Sequence, residues 1–340
     1  MAYIIFTSGS TGNSKGVPIT YDNLNHFINW IINLEEFKKC NNLMVLSQAS
    51  FSFDLSVMDI YFSIYKNCTI EAVDDDTKQD LDKLYNLLRI NHINFLIMTP
   101  TFMKFLLLDS YFNVSNFPDI KYAFFCGECL EVTTVKKLKD RFSDICVINA
   151  YGPTEATCCV SLLKITNEML NDNFLPVGKV STSSVKIEII NEEIVLKGNS
   201  VFDGYLDIDS IHCFKECGIN CYKTGDLGVI KDNYLYCSGR MDSQIKYQGY
   251  RIELGDIENN LLKISGIREA VVTSKNKENS NVVKLIKAFV VLDSNLTEDD
   301  IKNELSKLVP SYMIPKRIVI LDKIPVNKNG KYDRKKLIEL

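Results

Sequence analysis

Residues 3–16, Tyr3-Ile4-Ile5-Phe6-Thr7-Ser8-Gly9-Ser10-Thr11-Gly12-Asn13-Ser14-Lys15-Gly16, set an apolar run directly before a loop of hydroxyls, glycines and one lysine. The run 3–6 has the β-branched and aromatic character of a strand. In the loop, Gly9 and Gly12 let the backbone turn its N–H groups inward. The hydroxyls of Thr7, Ser8, Ser10 and Thr11 add donors, and Lys15 supplies a mobile positive charge, a combination suited to holding phosphate. A Walker-type loop needs Gly, four residues, then Gly-Lys followed by Ser or Thr. Here Gly9 leads to Ser14-Lys15-Gly16, and that fingerprint fails. A flexible Gly/Ser surface loop is the plainer alternative.

Outward from this loop, short apolar runs alternate with amphipathic stretches as far as Asn149, the pattern of an α/β domain with a mostly parallel sheet covered by helices. Strands are predicted at 3–6, 43–47, 69–73, 95–98, 122–125 and 145–148. Leu81, Leu84, Leu87 and Leu88 share one helical face, Val135 and Leu138 another. Thr20 is placed to cap a helix starting near Tyr21. After Gly178 brief alternating segments at 185–190, 193–197, 227–231 and 234–238 predict a small antiparallel, barrel-like part. Beyond Arg240, helices near 255–264 and 298–308 and strands near 270–274, 288–292 and 317–321 predict a small α+β domain.

At 340 residues the chain is long enough for two domains and a sizeable core. Its net charge of −4, with no face-wide basic excess, argues against a nucleic-acid binder. The basic cluster Lys328, Lys331, Arg334, Lys335 and Lys336 reads by default as a solvated terminal segment. No signal-type N-terminus is present, and the apolar stretch 95–108 is broken by Thr99, Pro100, Thr101 and Lys104, which predicts no membrane insertion and a cytoplasmic protein. Eleven cysteines without framework spacing fit reduced thiols there. Cys213, Cys217 and Cys221 beside His212 lack the tight pairing of a zinc site.

Further segments follow the loop in a fixed order: FSFDLSVMDIY (51–61), NAYGPTEAT (149–157), YKTGDLG (222–228), GRMDSQIKYQGYRIELGDIE (239–258) and NGKYDRKKL (329–337). Together they resemble the adenylate-forming (AMP-binding) superfamily of acyl-CoA synthetases, luciferases and peptide-synthetase adenylation domains, across essentially the whole chain. Within it, FCGECL (125–130), LPVGKV (175–180) and LVPSYMIPKR (308–317) most resemble the D-alanine–D-alanyl carrier protein ligases, which charge a carrier protein for D-alanylation of teichoic acids. The resemblance implies a large AMP-binding domain over 1–241 and a mobile C-terminal domain over 242–340. It also implies the cofactors ATP and Mg²⁺, with an amino acid and a phosphopantetheinylated carrier protein as partners.

Enzymes of this superfamily run two half-reactions. A carboxylate attacks the α-phosphorus of ATP to give an acyl-adenylate and pyrophosphate, and a phosphopantetheine thiol then displaces AMP. The site must therefore orient two anions and offset charge on phosphate. By resemblance, Thr7, Ser8, Gly9, Ser10, Thr11, Gly12 and Lys15 bind ATP together with the segment Asn149, Ala150, Tyr151, Gly152 and Pro153. Tyr151 stacks on adenine, Thr154 contacts the α-phosphate and Glu155 holds Mg²⁺; a plain Gly-Pro turn is the alternative. Asp226 accepts the ribose hydroxyls and Arg240 helps hold the nucleotide, against the alternative of a strand-end ion pair. Lys331 bridges the substrate carboxylate and the phosphate during adenylation, a role that suits a point charge on a flexible stem. Asp242 matches the hinge for domain rotation, and Gly249 leaves room for the pantetheine arm.

Asp54, inside an otherwise apolar predicted helix, is the candidate partner of a substrate ammonium; a helix cap or surface acid is the alternative. By resemblance Cys126 faces the substrate methyl group, and Leu55, Met58, Ala150, Cys158 and Cys159 line the rest of the pocket. Cys158 stands where a valine is expected, and Ser14 where the loop usually has proline. The superfamily's first subdomain has no counterpart before Met1, so exposed apolar surface is expected at that contact. Two other readings accompany a D-alanine ligase: a stand-alone peptide-synthetase adenylation unit for another amino acid, and a catalytically silent truncated remnant.

Overall fold

The computed structural model describes residues 1–7, 14–247, 249–276, 282–326 and 332–340. They belong to two compact units, one built from Met1–Phe6 and Gly16–Met241, the other from Asp242–Leu340 together with Thr7, Ser14 and Lys15. At the centre of the first lies a six-stranded sheet in the order Thr69–Ala72, Met44–Ser47, Phe95–Met98, Tyr122–Phe125, Cys146–Tyr151 and Ser161–Lys164. The first five strands are parallel and the sixth is antiparallel to its neighbour. Phe95 and Ile97 enter one apolar core while Leu96 and Met98 enter another, so this central strand reads as an unbroken apolar run.

Helices cover both faces. Tyr21–Asn33 buries Leu24, Phe27, Ile28 and Ile31 in the first core; Leu81–Ile90 and Val132–Arg141 bury Leu84, Leu88, Val135 and Leu138 in the second. Thr20 closes the start of the first helix with a reciprocal pair of bonds: its hydroxyl accepts from Asn23 N at 3.1 Å, and its own N–H donates to Asn23 Oδ1 at 3.0 Å.

The strand expected at 3–6 forms as Tyr3–Thr7, but outside the parallel sheet. It pairs with Lys15–Ile19 in a separate two-stranded sheet, and Ala2 N donates to Ile19 O at 2.7 Å. A parallel partner needs a crossover of about a dozen residues; the chain instead returns beside itself after a short loop. Pro18 in the returning strand has no N–H to donate, which suits an edge. Ile5 is buried, whereas Ile4 and Phe6 on the alternate face are 42% and 64% exposed.

The antiparallel part is a sheet in the order Lys186–Ile190, Glu193–Lys197, Ile219–Lys231, Tyr234–Arg240 and Gly178–Lys179, with Cys213–Glu216 added to Ile219–Lys231. Every pairing is antiparallel. The barrel-like expectation thus resolves into a sheet whose path has two ends. Cys213 and Cys221 lie on neighbouring strands of it, and no disulfide joins the cysteines.

The second unit opens with a hairpin, Gln244–Tyr247 with Tyr250–Glu253. A three-stranded sheet follows, in which Ile267–Asn276 is antiparallel to Val283–Leu292 and Arg317–Ile320 is parallel to it. Helices Leu254–Leu261 and Glu298–Leu305 bury Ile257, Leu261, Ile301 and Leu305 against Val272, Ala288 and Val290. The α+β expectation holds for this unit. No helix among the described residues is long and apolar enough to cross a membrane.

Candidate active site

The strand Cys146–Tyr151 carries the chain to the carboxyl end of the parallel sheet, where open α/β sheets collect ligands. Asn149 Nδ2 anchors it by donating to Pro176 O at 2.8 Å, and Ala150 is buried in the first core. At Gly152 a Cβ would stand 2.4 Å from Cys159 Cα and 2.9 Å from Val160 N, so only glycine lets the backbone pass its returning neighbour. Pro153, with extended backbone, leads into the single turn Thr154–Ala156. Thr157 and Cys158 then adopt left-handed backbone with φ of 60° and 68°, strain that the surrounding packing must hold.

Antiparallel register sets Asp226 opposite Arg240. Arg240 donates to Asp226 Oδ1 at 2.6 Å, and the Tyr151 hydroxyl donates to Oδ2 at 2.6 Å. Asp226 N donates to Thr224 Oγ1 at 3.0 Å, and that hydroxyl donates to Ile194 O at 2.8 Å. Burial, followed by the negative charge of Asp226, pushes the Tyr151 phenol well above its ordinary value, so it stays a donor. The sequence-predicted Tyr151, Asp226 and Arg240 thus meet in one hydrogen-bonded group.

Glu155 is fully buried. Its Oε1 accepts from the Tyr205 hydroxyl at 2.6 Å, and the Tyr205 and Tyr222 hydroxyls are 3.2 Å apart. Phe202 meets both rings edge-on, with centroids 5.0 Å from Tyr205 and 5.7 Å from Tyr222. Thr154, half-buried, lies on the same turn. Among the described residues no three His, Cys, Asp or Glu side chains gather as a cage. A buried carboxylate with neighbouring hydroxyls fits magnesium, which keeps waters and substrate phosphate oxygens as its other ligands.

Asp54 is buried, but it stands before the helix rather than inside it. The turn closed by Phe53 N on Ser50 O at 2.9 Å occupies the preceding residues, and the helix starts at Leu55. Its carboxylate makes no capping hydrogen bond, which removes the cap alternative. Its charge is felt at Tyr3, Cys158 and Cys159. The Tyr3 phenol is raised first by burial and then by Asp54. The Cys158 thiol is raised first by its hydrogen bond with Cys159 and then by burial; burial raises Cys159. These thiols are therefore neutral core groups rather than nucleophiles.

Cys126 acts electrostatically on Cys159, and it shares the first core with Leu55, Met58, Ala150 and Cys158. Gly127, at φ 90°, is pressed by Phe53: a Cβ there would lie 2.8 Å from the ring. That contact brings the segments holding Asp54 and Cys126 together. Two residues went unnoticed in the sequence, the buried Asp59 and the half-buried Tyr205. Asp59, a second acid in the apolar run, accepts from the Ser47 hydroxyl at 2.8 Å. Tyr205 belongs to no motif; only the fold brings it to Glu155.

Ser8, Gly9, Ser10, Thr11, Gly12 and Lys331 lie outside the described residues. Thr7 is buried at one end of the loop and Lys15 half-buried at the other. Asp242 begins the second unit, where its Oδ1 accepts from Gln244 N at 3.1 Å in a side-chain turn.

The AMP-binding enzyme family matches residues 1–206, and the AMP-binding enzyme C-terminal domain matches residues 256–331. A D-alanine–D-alanyl carrier protein ligase of Listeria innocua is 41% identical over 98% of this chain, which spans 69% of that relative. The enzyme of the same name from Staphylococcus haemolyticus is 42% identical over the full chain, covering 71% of its own length. Among solved structures, a Vibrio cholerae adenylation domain in complex with glycyl-adenosine-5'-phosphate superimposes with a TM-score of 0.86 at 25% identity. That match takes in 99% of this chain and 66% of the other. A peptide-synthetase protein containing adenylation and PCP domains shares the fold, with a TM-score of 0.80 at 20% identity, over 100% of this chain and 60% of its own.

Proposed function

The chain belongs to the AMP-binding enzyme family, and from that premise we propose that it is an ATP-dependent ligase for a small amino acid, D-alanine. It couples the amino acid to AMP and passes the aminoacyl group to the phosphopantetheine thiol of a carrier protein. The observation that carries this reading is Asp54, a buried carboxylate whose charge reaches the buried Cys158 and Cys159 thiols. A substrate ammonium brought beside that carboxylate pairs with it, whereas a fatty or aryl acid carries no such group. Cys126, Cys158 and Cys159 leave a compact wall suited to a methyl side chain. The names of the relatives support D-alanine and the carrier protein.

In this reading Tyr151 lies against adenine. Asp226 receives the ribose hydroxyls while Arg240 keeps its carboxylate oriented. Thr154 and the loop of Thr7, Ser8, Gly9, Ser10, Thr11, Gly12 and Lys15 hold the phosphates, with backbone N–H groups and hydroxyls directed at oxygens where charge develops. Glu155 would hold Mg²⁺, which when bound neutralises phosphate charge. Lys331 bridges the substrate carboxylate and the phosphate in the first half-reaction, and Asp242 is the hinge between the two half-reactions. A cytoplasmic location fits a ligase that draws on ATP.

The test is ATP–pyrophosphate exchange with D-alanine, L-alanine and glycine, followed by transfer of labelled amino acid to a phosphopantetheinylated carrier. Exchange that depends on D-alanine is expected. Silence with every amino acid, and no labelled thioester, ends the reading. Glycine is the second reading, favoured by the similar adenylation domain solved with glycyl-adenosine-5'-phosphate. Exchange with glycine and none with D-alanine would select it.

A further inference from the structure

Residues 200–206 carry none of the motifs that mark the rest of the site, yet they are bonded to it repeatedly. The Thr157 hydroxyl donates to Ser200 O at 2.8 Å, and Phe202 N donates to Glu155 O at 2.9 Å. The Tyr205 hydroxyl donates to Glu155 Oε1 at 2.6 Å, and the next residue, Leu206, donates its N–H to Gly16 O at 3.0 Å. One short segment thus grips both the backbone and the carboxylate of Glu155, and at its far end holds the residue where the expected phosphate loop leaves for Lys15–Ile19. The ring of Tyr205 is itself fixed edge-on against Phe202.

We propose that Tyr205 is a positioning residue for the Glu155 carboxylate, and that residues 200–206 are the brace tying that carboxylate to Gly16. This rests on the reading of Glu155 as the Mg²⁺-holding residue. The Tyr205 hydroxyl takes one acceptor site of Oε1 and fixes the direction of the carboxylate, which biases it toward holding a cation through one oxygen rather than two. Magnesium is small and demands near-octahedral oxygen ligands, whereas calcium accepts bidentate carboxylates in looser geometry. The hydroxyl therefore favours magnesium over calcium, and its removal loosens that orientation. Outer partners that orient a metal-binding carboxylate typically contribute about 10–100-fold to metal affinity.

The experiment is calorimetric titration of ATP into the full chain in magnesium and in calcium, for the wild-type protein, Tyr205→Phe, Tyr222→Phe and Glu155→Gln, with the thermal midpoint of each recorded. Tyr205→Phe keeps the ring against Phe202 and should fold. It is expected to weaken magnesium-dependent ATP binding about tenfold or more while calcium-dependent binding holds or improves. Tyr222→Phe, which removes the second hydroxyl beside that of Tyr205, should shift the preference the same way by less, and serves if Tyr205→Phe is unstable. An unchanged magnesium-to-calcium preference in both tyrosine variants, with Glu155→Gln impaired, overturns the proposal and leaves the role of Glu155 standing. Wild-type binding indifferent to magnesium and to Glu155→Gln overturns both.

Discussion

Around Asp226 both carboxylate oxygens meet donors, Arg240 on one side and the Tyr151 hydroxyl on the other, each at 2.6 Å and out of solvent. Around Asp54 the groups that sense its charge are a phenol and two thiols, all shifted toward their neutral forms, and its own helix does not use it as a cap. The two carboxylates are similarly buried and stand in the same unit. One is joined into the fold by strand register, with its charge offset in the resting protein. The other is a buried acid whose charge reaches a phenol and two thiols, and the proposed reading gives it a substrate ammonium as ligand. In the proposed reading the contrast separates an acid that serves architecture and ligand together from one that serves chiefly the ligand.

That contrast breaks if the two acids respond alike to removal. Asp226→Ala leaves a half-buried guanidinium and a buried phenol without their carboxylate, and breaking a fully buried pair of this kind costs about 3–5 kcal/mol, an upper bound here. A large fall in thermal midpoint, accompanied by weaker ATP binding, is the expected outcome. Asp54→Ala instead should leave the thermal midpoint near the wild-type value and raise the amino-acid KM about 100-fold, with the ATP KM little changed. If Asp54→Ala unfolds the chain while Asp226→Ala melts normally, the assignment of the two roles is reversed.

How far these roles were legible in the sequence depended on distance along the chain. Phe95–Met98, Tyr122–Phe125 and Glu193–Lys197 have the predicted bounds because their apolar patterns end in strong turn signals. Tyr3–Thr7 read correctly as a strand but not as the partner of Lys15–Ile19, since pairing is a property of two segments and the alternation within one does not name the other. Ser161–Lys164 was missed because it follows the strained turn at Thr157 and Cys158, where no Gly or Asn marks the left-handed residues. Motif order pointed to Glu155 and Asp226. Tyr205 lies 50 residues from Glu155 and has no local signature, so only the folded chain joins them. Asp59 was visible as a second acid in an apolar run, but its burial and the Ser47 hydroxyl beside it were not.

Asp59 sharpens the comparison on the amino-acid side, with the smallest expected effect. It has no exposed surface, and burial pushes its carboxyl up to about 8 against the opposing hydrogen bond from Ser47. In the unfolded chain an aspartate titrates near ~3.9. Below that value both states hold the proton and the fold has its full stability with respect to this group. Between there and about 8 the unfolded chain loses the proton while the folded chain keeps it. Stability therefore falls as pH rises, by at most about 1.4 kcal/mol per pH unit. A neutral Asp59 leaves Asp54 as the acid whose charge an ammonium meets, and both acids act on the Cys158 thiol. Asp59→Asn has nearly the shape of the neutral acid and cannot ionise, so its stability relative to the wild-type protein should improve steadily from pH 5 to 8 in urea unfolding. A gap that stays constant across that range would mean that Asp59 is already charged in the fold, and that the pocket meets its substrate with two negative charges rather than one.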